Sequence, residues 1–371
     1  EHGVKKQSLS ESARRSKVEK DRARIAAYRH HTAATLKAKQ NNVFSAKTLA
    51  DTAKLLALNP EFNAIWNYRR DILSALISQD PATKTSLQDE LHMVKGMMRE
   101  YPKCYWLWNH RRWCLEELSR DHMADWDYEL ALVLKVLEMD SRNFHGWHYR
   151  RYVVAEIERE QHEKFTDAEE TAVADLTLYF AEYRYATFKI EKNISNFSAW
   201  HNRAKLIPRI FQLLENFTNF EALGEYRSTA DLFRSPLTLL HYELGLVKTG
   251  MFMDAADTSV WLFMRWLLTD DIFVADLKKS SGETYLQILE QQLLAVKELN
   301  GLEKEDSPNN ADDVGCVKMM VFIKALINQQ NSHDNLQDPE IRDHLALLAK
   351  IDPIRKGRFM DRMKGLSPLT F

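Results

Sequence analysis

Two turns in the sequence carry residues suited to binding an anion. The first holds Lys103 and Tyr105, just after Pro102, and the second holds Asn143 and His145. Each turn leads into a segment with the pattern of a helix. Free backbone N–H groups and the helix dipole favour negative charge at a helix start, and a lysine adds a full positive charge there. These residues indicate a phosphate-binding site, although a lysine that is simply solvated is the ordinary alternative.

Two histidines, His145 and His148, lie three residues apart and could be taken as metal ligands. No cysteine or carboxylate nearby in the sequence completes a ligand set, and helical histidines at this spacing are usually packing residues. We therefore predict no metal site within this chain. The sequence also lacks a Walker loop, a dinucleotide fingerprint, an HExxH motif and a nucleophile motif. It offers a lysine rather than a complete reaction centre.

The elements that must position these turns are repeats built around a tryptophan and an arginine. The five copies are Trp66-Asn67-Tyr68-Arg69, Trp108-Asn109-His110-Arg111, Trp147-His148-Tyr149-Arg150, Trp200-His201-Asn202-Arg203 and the looser Trp261-Leu262-Phe263-Met264-Arg265. Successive tryptophans are 42, 39, 53 and 61 residues apart. A core unit of roughly 40 residues is in the size range of stacked helical pairs. The sequence therefore predicts an all-α solenoid of antiparallel helix pairs.

The tryptophan and the arginine of each copy share one side of a helix, so both can face the adjoining repeat. Burial of one tryptophan contributes roughly 4–6 kcal/mol before chain entropy is subtracted. We expect each arginine to bridge to carboxylates or helix-end carbonyls of the next unit, since a guanidinium satisfies several acceptors at once. This ladder is predicted to be structural, and function is expected in what differs between copies.

The repeats predict a single α-α superhelical domain over residues 1–371. Residues 1–44 are predicted to form a basic leading helix, residues 45–270 the five repeats, and residues 271–371 atypical helix pairs that cap the stack. The charge-dense residues 156–170 and residues 216–236 are predicted to be irregular connectors.

Composition and charge agree with a helical, soluble protein. The chain has 11 Gly and 9 Pro in 371 residues, below average usage for both helix breakers. Residues 1–40 carry 11 Lys or Arg against 4 Asp or Glu, and the remainder is acidic, which argues against nucleic-acid binding. A solvated helix face explains the basic segment more simply than an acidic partner or a membrane surface. With three cysteines in no CxxC pair, no membrane-length apolar run and no visible signal peptide, we expect a cytoplasmic protein without stable membrane insertion.

Three of the turns with their helices, residues 102–113, 142–151 and 196–203, resemble the repeats of protein prenyltransferase α subunits. The resemblance spans roughly residues 45–270 in five ordered copies. The opening His2-Gly3-Val4-Lys5 resembles the type II, or Rab geranylgeranyltransferase, branch of that family. The resemblance implies a right-handed, crescent-shaped superhelix. Some type II α subunits add leucine-rich and immunoglobulin-like segments, and this sequence has neither.

The resemblance also implies an obligate heterodimer, in which a β subunit holds zinc, the isoprenoid pocket and most catalytic groups. This chain by itself is then expected to bind no cofactor and to be inactive. The implied reaction transfers geranylgeranyl from geranylgeranyl diphosphate to C-terminal cysteines of Rab GTPases, which an escort protein presents. Zinc would keep the thiol as thiolate, and positive groups would stabilise the departing diphosphate.

Individual residues take their implied roles from the same resemblance. Lys103 matches the family lysine that reaches the diphosphate, and Tyr105 matches a tyrosine facing the shared cleft. Asn143 and His145 fill the corresponding turn of the third repeat and are implied to line the cleft. His2 carries a further hypothesis: a flexible N-terminal imidazole could ligate the partner's zinc and inhibit the enzyme until substrate arrives. A disordered terminus is the alternative.

Two other functions stay open at this point. One is the shared α subunit of farnesyltransferase and type I geranylgeranyltransferase, whose motif typically reads Lys-Asn-Tyr-Gln, with the Gln binding the substrate carboxylate. Here Trp106 stands in its place, and an indole offers one donor and no acceptor, which favours type II. The other is a non-enzymatic tetratricopeptide-like scaffold, whose 34-residue period does not match.

Overall fold

The computed structural model describes residues 10–277 and 284–369, and all regular structure in these ranges is helical. The α-helices are α1 (Glu11–Gln40), α2 (Ala46–Leu58), α3 (Asn63–Gln79), α4 (Ser86–Glu100), α5 (Tyr105–Ser119), α6 (Trp126–Met139), α7 (Phe144–Lys164), α8 (Ala168–Lys192), α9 (Phe197–Leu214), α10 (Arg227–Leu232), α11 (Pro236–Met253), α12 (Thr258–Leu267), α13 (Asp271–Leu277), α14 (Tyr285–Asp306), α15 (Val314–Gln330), α16 (Pro339–Ile351) and α17 (Lys356–Met363). Short 3-10 helices lie at Pro81–Thr85, Phe220–Tyr226 and Pro353–Arg355. The prediction of an all-α fold is confirmed. Within the described ranges, every helix is too short or too polar to cross a membrane.

The chain groups into two compact units, Glu1–Val153 and Val154–Phe371. In the first unit α2 packs on α3 and α4 packs on α5. In the second unit α8 packs on α9, α11 on α12, α14 on α15, and α16 on α17. The predicted pairing of neighbouring helices is therefore confirmed within each unit, whereas the prediction of one domain over residues 1–371 stays a prediction.

The segment predicted as a connector at residues 156–170 is largely helical, and that prediction is wrong. Helix α7 continues through Lys164, and α8 begins at Ala168. The Asp167 side chain caps α8 by accepting hydrogen bonds from the N–H groups of Glu169 and Glu170, each at 2.9 Å. A carboxylate at this position stabilises a helix start, so the charge density marks a solvated helical hairpin. Residues 216–236 contain a 3-10 helix and the six-residue α10, so this second predicted connector is also partly helical.

Each repeat tryptophan is anchored by the same hydrogen bond. Its indole Nε1–H donates to the backbone carbonyl six residues earlier in the chain, at 2.7–3.0 Å. The acceptors are the carbonyls of Pro60, Pro102, Ser141, Ile194 and Ala255. A buried indole requires an acceptor, and this acceptor lies in the turn between the two helices of a pair. Each tryptophan therefore fixes the turn that precedes its own helix.

Three arginines of the ladder bridge to carboxylates of the following repeat, as the sequence predicts. In the first unit Arg69 makes a bidentate contact with Glu90, both oxygens at 2.6 Å, and Arg111 pairs with Glu129 in the same way. In the second unit Arg203 donates to Glu243 at 2.7 Å. The sequence predicts that the arginines also reach helix-end carbonyls of the next unit. Arg69 and Arg111 instead donate to the carbonyls of Leu49 and Leu91, which lie on the preceding helix of their own repeat.

In the fifth copy of the element the arginine contacts an aromatic ring. The guanidinium of Arg265 lies over the ring of Phe322, with 5.0 Å to the ring centroid. Burial lowers the pKa of Arg265, and the nearby Arg358 lowers it further. One additional residue between Trp261 and Arg265 changes the direction of the side chain, which explains the different contact.

Candidate functional site

Lys103 stands in the turn before α5 with its amine exposed. Its side chain is 74% exposed, and its Nζ lies 3.5 Å from Oδ2 of Asp140, which ends α6. An exposed ion pair of this kind contributes about 0–1 kcal/mol. Replacement of the Asp140 carboxylate by another anion as the partner of the Lys103 amine therefore costs little free energy.

The two turns that hold the predicted site residues are joined by one backbone carbonyl. The Pro102 carbonyl accepts the indole N–H of Trp108 at 3.0 Å and the Nδ2–H of Asn143 at 3.2 Å. Oδ1 of Asn143 accepts the N–H of Gly146 at 3.1 Å and so caps α7. Asn143 is only 2% exposed, so its side chain holds the two turns together and does not face solvent.

His145 and Tyr105 come together as an aromatic contact beside Lys103. The Tyr105 side chain is exposed, and its ring meets the His145 ring edge-on at 4.7 Å. The His145 ring also lies against the Phe144 ring, with 4.0 Å between the ring centroids. Burial lowers the pKa of His145, and the neighbouring His148 lowers it further. The imidazole is therefore neutral at pH 7, and the positive charge at this site comes from the lysine.

A groove of about 360 Å³ continues from this contact between α5 and α7. It is lined by aromatic rings together with the polar or basic side chains of Asn109, Arg112, His148 and Arg151. The sequence alone did not assign Asn109, Arg112 or Arg151 to the site, and it indicated His148 only as a packing residue. Burial lowers the pKa of Arg151, and the Arg112 guanidinium lies 4.8 Å from the centroid of the Tyr152 ring. On each helix the two residues are three positions apart, and this spacing was the available signal, because such residues share one helix face. His2, the hypothetical zinc ligand, lies outside the described residues.

The buried position of His145 leads to a prediction about its titration. The pKa of His145 is lower in the folded protein than in the unfolded chain, where a histidine has a pKa of about 6.5. The folded protein therefore binds a proton at His145 less readily than the unfolded chain does. The stability that the neutral, buried His145 ring contributes is fully present above about pH 6.5 and is lost as the pH falls through the pKa of His145 in the folded protein. We expect side-chain NMR of the full chain to show a His145 midpoint below 6.5, and Tyr105→Ala to raise it by exposing the ring. A midpoint at or above 6.5 would contradict the burial argument.

The paired helices, the tryptophan turns and the lysine before α5 define a helical-repeat protein of the prenyltransferase α-subunit class. A family model described as "Protein prenyltransferase alpha subunit repeat" matches residues 45–76, 87–118, 126–157 and 179–210. These segments contain the first four tryptophans. Trp261 lies outside them, yet its indole makes the same hydrogen bond at 2.8 Å, so the fifth copy is a repeat by structure.

Similar proteins specify the family further. The Geranylgeranyl transferase type-2 subunit alpha of Candida albicans is 42% identical over 379 residues, which covers 100% of this chain and 99% of the relative. The protein of the same name from Saccharomyces cerevisiae is 34% identical and covers 97% of this chain and 98% of the relative. The one from Rattus norvegicus is 31% identical over 72% of this chain and 41% of the relative. The chain therefore belongs to the geranylgeranyl transferase type-2 subunit alpha family.

A solved structure agrees on the fold. It is titled "Candida albicans protein geranylgeranyltransferase-I complexed with GGPP", and it matches with a TM-score of 0.58 over 92% of this chain and 91% of that chain. The two sequences are 19% identical. This likeness supports the helical-repeat architecture and nothing more specific.

Proposed function

We propose that this chain is the α subunit of a heterodimeric protein geranylgeranyltransferase. The enzyme transfers geranylgeranyl from geranylgeranyl diphosphate to C-terminal cysteines of Rab GTPases, which an escort protein presents. The family relation supports this function, and the observation that carries it is the exposed Lys103 amine before α5. That amine is paired with Asp140 at 3.5 Å and stands beside the aromatic contact of Tyr105 and His145.

In the proposed reaction the cysteine sulfur attacks C1 of the isoprenoid and the bond from C1 to the diphosphate oxygen breaks. The diphosphate leaves with the electron pair, so negative charge grows on its oxygens in the transition state. A fixed cation at that point stabilises the transition state more than the ground state. Lys103 supplies this cation, and the hydrogen bonds of Asn143 and Trp108 to the Pro102 carbonyl hold its turn in place.

The zinc ion of the proposed enzyme belongs to the β subunit. Within the described part of this chain, the Lys103 turn and its groove bring together His145 and His148 without a carboxylate or cysteine at metal-ligand distance. These residues do not make a metal site, since zinc takes four ligands, at least three of them from protein. When bound in the partner, zinc would supply the thiolate, and the residues of this chain would orient and neutralise the diphosphate.

Docking of the β subunit is proposed at the exposed aromatic side chains of the first unit. Tyr105 and Phe144 both open their helices and are exposed at the rim of the groove. Aromatic residues are enriched in protein interfaces, and burial of these two rings by a partner would also exclude water from the lysine. The proposed enzyme is cytoplasmic, which is supported by Cys104, Cys114 and Cys316, all of which are buried thiols.

The experiment that tests this function is purification of the chain with its stoichiometric partner, followed by a prenylation assay. We expect a zinc-containing β subunit, and transfer of geranylgeranyl to a Rab GTPase only when escort protein is added. Direct prenylation of a CaaX peptide would instead indicate the shared α subunit of farnesyltransferase and type I geranylgeranyltransferase. Absence of any β partner would leave a helical scaffold and would contradict the proposal.

A further inference from the structure

A second cluster of chemically active side chains lies on the hairpin formed by α7 and α8, within the second unit. These helices have 21 and 25 residues, whereas α4, α5 and α6 have 14 or 15. The extra length accounts for the 53-residue interval between the third and fourth tryptophans.

Glu158, His162 and Asp175 converge on this extension. Glu158 and His162 are one turn apart on α7, and Asp175 faces them from α8. One ligand atom from each residue lies within 4.8 Å of the other two, and among the described residues this is the group of histidine, cysteine and carboxylate side chains with that geometry. Nε2 of His162 is 2.7 Å from Oδ2 of Asp175. Small side-chain adjustments would place all three around one ion with bonds of about 2.0–2.2 Å.

Asp175 supplies the observation that points to a ligand. Its side chain is 3% exposed, and its Oδ1 is buried without a hydrogen-bond partner. Burial of a carboxylate oxygen without a partner is costly. Burial raises the pKa of Asp175, and the contact with His162 opposes this only in part. A positive ion between Asp175 and Glu158 would satisfy the unpaired oxygen, and the half-exposed His162 side chain leaves a route for it from solvent.

The contacts that Tyr179 and Arg209 make with Glu158 leave lone pairs on its carboxylate for a metal ion. Glu158 accepts the hydroxyl of Tyr179 at 2.7 Å through Oε2 and pairs with Arg209 through Oε1. A carboxylate offers about four lone-pair positions on its two oxygens, so Glu158 can keep both contacts and still coordinate. Arg209 pairs with Glu158 and offsets one of the two negative charges of the carboxylates.

We propose that Glu158, His162 and Asp175 bind a divalent transition-metal ion, with zinc as the first candidate, which joins α7 to α8. One imidazole and two carboxylates form a nitrogen and oxygen set suited to zinc, with water in the fourth position. Calcium and magnesium prefer oxygen ligands alone. This inference revises the sequence-based expectation that the chain binds no metal, and it is independent of the proposed transferase function.

The test compares wild type with His162→Gln, both freed of metal with a chelator and purified in the same form. The metal content after equilibration with zinc is measured for each, so any metal held by a partner subunit cancels in the difference. We expect one equivalent more zinc in wild type, a zinc affinity at least about tenfold weaker in the variant, and a zinc-dependent rise in Tm only in wild type. His333→Gln, which changes an exposed histidine elsewhere, is the matched control and should behave as wild type.

Equal zinc content and equal affinity in wild type and His162→Gln would overturn the site, as would the absence of saturable zinc binding in wild type. Asp175→Asn provides a second variant, because it keeps the shape of the side chain and removes its charge. It should also lose the zinc equivalent and the zinc-dependent rise in Tm. Should it fail to fold, Glu158→Gln, at a position less buried than Asp175, replaces it with the same expected outcome.

Discussion

Replacement of Lys103 by alanine should lower turnover of the assembled enzyme about 10²-fold, the usual effect of removing one donor that stabilises transition-state charge. The loss should fall on kcat and on kcat/KM alike, because the diphosphate carries more negative charge as it leaves than when it is bound. The fold should be unaffected, since the pair with Asp140 is exposed and contributes about 0–1 kcal/mol. Single-turnover transfer of radiolabelled geranylgeranyl to a Rab GTPase measures the effect directly.

Two controls make this prediction specific. Asp140→Asn removes the present counter-ion of Lys103 but keeps the Oδ1 acceptor for the N–H of Arg142, so turnover should change little. Lys135→Ala changes an exposed lysine on α6 and should also leave turnover unchanged. Gel filtration must show that each variant still assembles with its partner. Normal turnover in assembled Lys103→Ala would remove the lysine from the mechanism.

The repeat architecture was predictable because the tryptophans and arginines recur at a constant place relative to the helix ends. The need of each buried guanidinium for a carboxylate was also predictable from its chemistry. The identity of that carboxylate was not, because Glu90, Glu129 and Glu243 follow their arginines by 21, 18 and 40 residues. These intervals depend on helix length and packing, which vary from repeat to repeat.

In the candidate site, too, local features were predictable from the sequence and contacts between distant residues were not. Lys103 stands out in the sequence because it adds charge at a helix start, a local property. The Asn143 side chain donates to the carbonyl of Pro102, 41 residues away, and no local pattern contains that contact. The convergence of Asp175 on His162 likewise depends on the unexpected continuation of α7 through residues predicted as a connector. The chemistry of single residues was therefore predictable from the sequence, whereas contacts between successive helices were not.

Loss of one arginine of the ladder should have the largest effect on stability. Arg203 and Glu243 are fully buried in the second unit, and Arg203 also donates to the hydroxyl of Tyr183 and to Oγ1 of Thr187, each at 2.5 Å. Burial disfavours the charge of Arg203, but Glu243 and Tyr183 outweigh it and raise its pKa. Arg203→Met should lower the free energy of unfolding by about 3–5 kcal/mol, because Glu243 is left buried and charged without a partner.

Urea unfolding followed by circular dichroism measures this loss, and a second substitution identifies its cause. In Arg203→Met with Glu243→Gln the unpaired charge is gone, while the amide oxygen can still accept the Tyr183 hydroxyl that donates to Glu243 at 2.5 Å. The double variant should therefore recover more than half of the lost stability. Arg227→Met, in an exposed pair with Glu221, is the matched control and should cost under about 1 kcal/mol. If the double variant were as unstable as Arg203→Met, the main cause of the loss would be the missing packing of the arginine rather than the unpaired carboxylate.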